Sequence, residues 1–184
     1  MRIISGKYKG RKINPPANMK ARPTTDFAKE GLFDILYHRI NFEQVSVLDL
    51  FSGTGYLSYE FASRGATTIV AVEKNPVHAA FIRKTVHDFQ MPVKVVEADV
   101  FAYLQRLKYS FDIIFCDPPY NLKGIDTIPD TIFSQSLLTH DGLLIMEHGK
   151  QCTFSQQPYF IHQRNYGKVQ FSFFSKNATH YFFK

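Results

Sequence analysis

The 184-residue chain carries 22 Lys and Arg against 16 Asp and Glu, a formal net charge of +6, and is 45% hydrophobic. That length predicts one compact domain with a sizeable core, and no apolar run exceeds five residues, which excludes a membrane-spanning helix. The first 30 residues hold neither an apolar block nor a small-residue cleavage signal, so export is not expected. Cys116 and Cys152 suit a reducing cytoplasm better than a disulfide framework.

The charge is segregated. Residues 1–25 hold seven basic side chains (Arg2, Lys7, Lys9, Arg11, Lys12, Lys20 and Arg22) and no acid. Residues 148–184 hold five, Lys168 among them, and again no acid, so every acid lies in the middle of the chain. With Tyr8, Tyr166 and several Phe interleaved, the basic ends point to a polyanion-binding surface.

In chain order, residues 1–24 read as a basic N-terminal arm and residues 25–184 as a single domain. The spacing predicts an amphipathic helix over 25–39, with Ala28, Leu32, Ile35 and Leu36 on one side. Strands are predicted over 45–51, 67–73, 93–98, 111–116 and 142–147, with helices over 55–64, 76–89 and 100–107 between them. Asn75 is an N-cap followed by Pro76 at the first helical position. Residues 159–164 and 169–175 read as a closing hairpin around Asn165-Tyr166-Gly167-Lys168, and no helix is readable in 150–158. This alternation predicts an α/β fold: a mostly parallel seven-stranded sheet, helices on both faces, and a C-terminal antiparallel hairpin. Ligands of such sheets gather outside the C-terminal ends of the strands, where Asp49, Glu73, Asp99 and Asp117 all fall.

Two motifs carry chemistry. Asp49-Leu50-Phe51-Ser52-Gly53-Thr54-Gly55 runs from a strand through a glycine turn into a helix. Its glycines let backbone approach a ligand, and the helix start adds exposed N–H groups, although a plain turn would look the same. A dinucleotide fingerprint asks for a third glycine where this chain has Ser58. Glu73, 18 residues beyond Gly55, is placed either to accept from ribose hydroxyls or to cap its strand. Asp99 suits an adenine amine or the N-cap of the helix opening at Val100, two compatible roles.

Asp117-Pro118-Pro119-Tyr120 follows an apolar strand. Consecutive prolines hold the backbone extended, which sets a carboxylate, a fixed carbonyl and an aromatic ring side by side. An exocyclic amine has two hydrogens to donate, to Asp117 and the Pro118 carbonyl, and a base face to stack on Tyr120.

With these motifs the chain resembles the Rossmann-like S-adenosylmethionine-dependent methyltransferases that act on exocyclic amines. Within that class it is similar to the bacterial small-subunit rRNA guanine-N2 methyltransferases of the RsmD type. The resemblance covers nearly the whole chain: Arg-Ile-Ile-Ser-Gly-Lys-Tyr-Lys-Gly-Arg at 2–11, Arg22-Pro23-Thr24-Thr25-Asp26 before a helix with Glu30 and Phe33, the glycine turn, Glu73, Asp99, DPPY, and Tyr166-Gly167-Lys168. It implies S-adenosylmethionine as cofactor and the N2 amine of a 16S rRNA guanine, position 966 in the usual rRNA numbering, as target. Carried over by position, Asp49, Phe51, Gly53 and Gly55 would shape the cofactor pocket. Glu73 would hold the ribose, and Lys74, Asp99 and Val100 would meet the adenine. Asp117, Pro118 and Tyr120 would receive the flipped guanine, and Arg22 and Thr24 would close the site. Arg2, Lys7, Lys9, Arg11, Lys12, Arg22 and Lys168 are the candidate RNA contacts.

The histidines lack metal-ligand spacing and no Cys cluster exists, so no metal is expected. Cys116 reads as core packing. The implied partner is 16S rRNA or a small-subunit assembly particle in the cytoplasm, met by a monomer and without a membrane. Three rival readings explain less. A DNA adenine-N6 methyltransferase would want a target-recognition domain, a nicotinamide oxidoreductase leaves DPPY unexplained, and a noncatalytic RNA-binding protein leaves the acid-lined pocket unexplained.

Overall fold

The computed structural model describes residues 1–16, 19, 26–119 and 121–177. Arg22, Thr24 and Tyr120 lie outside the described residues. The elements run α1 (Asp26–Tyr37), β1 (Ser46–Leu50), α2 (Tyr56–Ser63), β2 (Thr68–Glu73), α3 (Pro76–Phe89), β3 (Val93–Glu97), α4 (Val100–Arg106), β4 (Phe111–Cys116), α5 (Thr127–Ser134), β5 (Leu138–His148), β6 (Phe160–Tyr166) and β7 (Val169–Phe174). One seven-stranded sheet has the order β3-β2-β1-β4-β5-β7-β6. Strands β1 to β5 pair in parallel, and β7 runs antiparallel to both β5 and β6. The strand order reverses between β1 and β4, so the glycine turn and the DPP segment leave neighbouring strands at the switch point.

Side chains alternate across the sheet, which splits the core in two. Val47, Ile113, Phe115, Leu143, Ile145, Phe171 and Phe173 face the layer of α1, α2 and α3. Leu48, Leu50, Ile114, Cys116, Leu144, Met146 and Phe174 face α4 and α5. Both faces are covered, which is why the central strands read as continuous apolar runs rather than alternating ones. At the antiparallel edge, buried His148 ends β5 and shares a 2.7 Å hydrogen bond with Ser172 Oγ on β7, tying the hairpin to the parallel strands.

Expected and observed elements differ mainly at their ends. Strand β5 begins four residues before the expected 142, and the hairpin turn is only Gly167-Lys168, with Tyr166 paired to Val169. The sequence reading leaves 118–141 unassigned, yet the structure has α5 there. Its Pro129 falls in the first turn, where the missing N–H would have no intrahelical acceptor anyway. Asn75 caps α3 as expected, accepting from Val77 N at 2.9 Å.

Helix α2 is buried along all eight residues, because residues 1–13 fold over its outer side. This segment is a small hairpin bridged at Arg2 and Lys12. Met1 and Ile13 exchange main-chain bonds at its open end. Ile3, Tyr8 and Ile13 point into the core, while Arg2, Lys7, Lys9, Arg11 and Lys12 are exposed. Its contact with α2 is polar and satisfied. The buried Glu60 carboxylate accepts from Ile4 N (2.9 Å) and Ser5 N (3.1 Å) and pairs with Arg64. Ser63 Oγ accepts from Tyr8 N (3.0 Å) and donates to Ser5 O.

Gly6 makes this docking close enough. A Cβ there would sit 1.7 Å from Ser63 O, and φ is +81°. Gly10 has the same φ, but a Cβ there would meet nothing within 4 Å. The pair separates backbone strain from packing. Gly10→Ala should cost about 1–2 kcal/mol for the left-handed backbone alone. Gly6→Ala should cost at least about 1–3 kcal/mol more, from overpacking. Melting temperatures of the two variants check this, and equal losses would mean the hairpin does not rest on α2.

Candidate active site

The site is assembled from four strand ends. β1 delivers Asp49 and then the turn through Gly55. β2 ends in Glu73, β3 leads to Asp99, and β4 leads to Asp117.

The turn holds three positive-φ residues, Phe51 (62°), Gly53 (56°) and Gly55 (82°). A Cβ on Gly53 would meet only Phe51 O, at 3.9 Å, so the space in front of the turn is open. Gly55 is constrained differently. It is the N-cap of α2, and a Cβ there would come within 2.6 Å of the Tyr59 ring. One glycine leaves room for a ligand, and the other lets the helix pack.

Glu73 is 8% exposed and tied to the turn: one oxygen accepts from Gly53 N at 2.8 Å, the other from Asn75 N at 2.7 Å. Each carboxylate oxygen has a second lone-pair site, so the acid can hold the turn and still accept a hydroxyl. Asp99 takes the cap role foreseen for it. It accepts from Phe101 N and Ala102 N, and its other oxygen receives Lys74 Nζ at 3.1 Å. Lys74 is the main reason its carboxyl titrates below the usual range. Val100 is buried as the first residue of α4.

Asp49 points under α2, not into open space. It is 2% exposed and accepts a 2.6 Å hydrogen bond from Ser58 Oγ. Here the departure from three glycines has its physical reason: the side chain at 58 is a donor to a buried acid. Burial pushes the Asp49 carboxyl up to about 7, against the opposing pull of its Ser58 bonds, and Glu73 adds repulsion. Asp117 N bonds Leu50 O at 3.3 Å, which fixes the DPP segment beside β1. Asp117 is half-buried, Pro118 buried, and Leu122 N closes a turn on Pro119 O at 2.8 Å. Cys116 is fully buried, and its thiol is pushed well up by burial and then by Asp117 and Asp49. Among the described residues no cluster of three or more His, Cys, Asp or Glu is arranged for a metal, and no helix is long and apolar enough to cross a membrane.

Sequence reading missed Lys29. It lies in the first turn of α1, is 4% exposed, and sets Nζ 3.5 Å from the ring centroid of Tyr56, the first residue of α2. The available signal was its place one turn before Leu32 and Phe33, on the side of α1 that is buried.

The basic ends are also placed. The hairpin's open end reaches the glycine turn, where Thr54 Oγ1 meets Met1 Sδ at 4.0 Å, while its tip lies at the far end of α2 against Ser63. Lys168 is exposed on the β6–β7 turn. Tyr166 beside it packs into the same core as Ile3, Tyr8 and Ile13, so the N-terminal hairpin and the β6–β7 turn border one face of the sheet.

A parallel sheet reversing at β1 and β4, a glycine turn at the switch point and a proline-fixed acid beside it define a Rossmann-like methyltransferase fold. The chain belongs to the family described as conserved hypothetical protein 95, whose model matches residues 1–175. Over 149 residues it is 32% identical to ribosomal RNA small subunit methyltransferase D of Buchnera aphidicola, subspecies Baizongia pistaciae, covering 80% of this chain and 75% of that one. A solved hypothetical protein of Thermus thermophilus matches at TM-score 0.83 and 28% identity, over 95% of this chain and 99% of that one. A 16S rRNA N2 methyltransferase of the same organism, solved with AdoMet and guanosine, shares the fold at TM-score 0.68 and 21% identity, over 85% of this chain and 45% of that one.

The buried Asp49 makes stability pH-dependent. Its carboxyl stays protonated in the folded chain up to about pH 7, whereas the unfolded chain releases the proton near 3.8. Stability from this group is therefore full below about pH 4, falls as pH rises, and levels off above about 7. The gap corresponds to about 4 kcal/mol. Asp49→Asn keeps an acceptor for Ser58 without titrating. Urea unfolding without ligand should show the variant gaining on wild type between about pH 4.5 and about pH 7.5. An equal difference at both pH values would contradict this account.

Proposed function

We propose that this protein transfers a methyl group from S-adenosylmethionine to the N2 amine of a guanine in 16S rRNA, at a position 966-type site. The observation that carries the reading is the placement of Asp117 and Pro118 at the mouth of β4, beside the open glycine turn of β1. The family and the small-subunit name borne by its Buchnera relative supply the substrate class.

The residues present fit the cofactor. Glu73 would accept from the ribose, and Asp99 with the main chain at Val100 would border the adenine, with Lys74 alongside. The open face of Gly53 would leave room for the chain between them. The cofactor supplies a methyl group on a positively charged sulfur, already reactive toward a nucleophile. What remains for the protein is positioning and charge stabilisation.

A guanine amine is a weak nucleophile because its lone pair is delocalised into the ring. Accepting its two hydrogens at Asp117 and at the Pro118 carbonyl favours a more pyramidal nitrogen, with the lone pair directed toward the glycine turn. The carboxylate then stabilises the positive charge that develops on nitrogen during attack, an interaction stronger in the transition state than in bound substrate. Tyr120 is the proposed stacking ring. The substrate partner would be 16S rRNA or an assembly particle in the cytoplasm, gripped by Arg2, Lys7, Lys9, Arg11, Lys12, Arg22 and Lys168.

Asp117→Ala tests the site. Methyl transfer should fall roughly 100- to 1000-fold, as for loss of one preorganised charge-stabilising partner. Asp117→Asn should fall between, and S-adenosylmethionine binding should stay within about threefold by calorimetry. Radiolabelled transfer to rRNA from a strain lacking the methyl mark, compared with DNA, checks the substrate; preferential labelling of DNA would overturn the RNA assignment.

The hairpin makes a separate prediction. Alanine at Lys7, Lys9, Arg11 and Lys12 should weaken rRNA binding. The slope of log affinity against log salt should flatten by roughly 0.7 for each phosphate no longer neutralised. Cofactor affinity should not change. An unaltered salt slope would show these charges to be merely solvated.

A further inference from the structure

We propose that Phe27 and Tyr166 form a stacking platform for an unpaired base of the RNA strand, a few nucleotides from the target. The platform rests on the RNA-methylating reading above and adds a second point of contact to it. Five large hydrophobic side chains are well exposed among the described residues, and one standing alone needs no explanation. Phe27 does not stand alone. It is 70% exposed, and its ring meets the half-buried ring of Tyr166 edge-on, with centroids 5.6 Å apart at 75°. Tyr166 is itself held in place. It packs edge-on to Phe171 and lies against α1 at Gly31, where a Cβ would run into its ring. Glycine in a helix interior weakens the helix, so α1 gives up propensity one turn beyond Phe27 to seat this ring.

The pair lies at the edge of the sheet where Asp117 stands. Asp117 follows Cys116, the partner of Met146, and β5 ends two residues later at His148, level with Gln170 and Asn165. The β6–β7 turn beside Tyr166 therefore projects past that edge. In the order β4-β5-β7-β6 it is two to three strands from Asp117, roughly 10–15 Å at the usual strand spacing. A stacked strand covers that distance in a few nucleotides, at about 3.4 Å each. Charge sorts the two sides of such a strand. Glu30 and Asp34 share the outer face of α1 with Phe27 and repel phosphates, whereas Lys168 is exposed on the turn and attracts them. Bases thus meet α1 while the sugar–phosphate backbone follows the turn. Every base has a π-face, so the contact grips the strand without reading its sequence.

The chain has no tryptophan, so Phe27→Trp places a single fluorescent reporter on the platform. Titration with 16S rRNA from a strain lacking the methyl mark should quench it, at wild-type affinity. Phe27→Ala should weaken binding of the same RNA roughly 5- to 100-fold, as for loss of one base stack. The slope of log affinity against log salt should stay as in wild type, because no phosphate contact is lost. S-adenosylhomocysteine affinity and melting temperature should also stay close to wild type, since the ring is exposed. RNA binding without quenching in Phe27→Trp, or without loss in Phe27→Ala, would overturn the platform and leave the RNA reading intact. A defect of Phe27→Ala seen with small-subunit particles and not with naked rRNA would assign the patch to a protein and overturn it too. A wild-type chain that binds no 16S rRNA would overturn the RNA reading and the platform with it.

Discussion

Helix α2 has no solvent face, so its polar groups have to find partners inside the protein, and among its described side chains only the Tyr59 hydroxyl is buried without one. Ser58 answers Asp49 on the sheet side. Glu60 and Ser63 answer the main chain of the N-terminal hairpin on the outer side. Leaving any of these buried groups unpaired would cost roughly 1–3 kcal/mol, more for a charge. The helix therefore fixes the glycine turn at one end and the basic hairpin along its flank as one unit. A chain with this α2 and without residues 1–13 would expose Glu60 with its main-chain partners gone.

That coupling has a functional side. The hairpin turns its apolar residues inward and its cations outward, so a single short segment completes the core and displays the charge. Its open end meets Thr54 at the turn, which sets Arg2 and Lys12 nearer the glycine turn than Lys7 and Lys9. A polyanion following this stripe would be led toward the mouth of β1 and β4. Lys168 borders the same face from the other end of the chain.

The acids of the site divide by environment. Asp49 is buried and holds its proton up to about pH 7, whereas Asp99 is half-buried, paired with Lys74 and titrates low. Glu73 combines two jobs, holding Gly53 N and Asn75 N while standing at the rim. Identical residue types near strand ends thus differ in charge state and role because burial dominates at Asp49 and the Lys74 bond dominates at Asp99.

By itself the sequence determined the sheet, helices α1 to α4 and the two motifs. Apolar runs of strand length, Asn75-Pro76 and the glycine turn are local signals whose physics acts over a few residues. The acids at strand ends followed from that register, and so did the place of Asp117-Pro118 at the end of β4. Tertiary structure alone decided the rest. Helix α5 was hidden because Pro129 speaks for a loop until it is seen in the first turn. The donor role of Ser58 and the burial of Lys29 against Tyr56 depend on contacts between elements far apart in the chain. Whether the N-terminal hairpin and the turn that carries Lys168 share a face depended on the place of β6 and β7 in the sheet order, and local propensity does not encode that order.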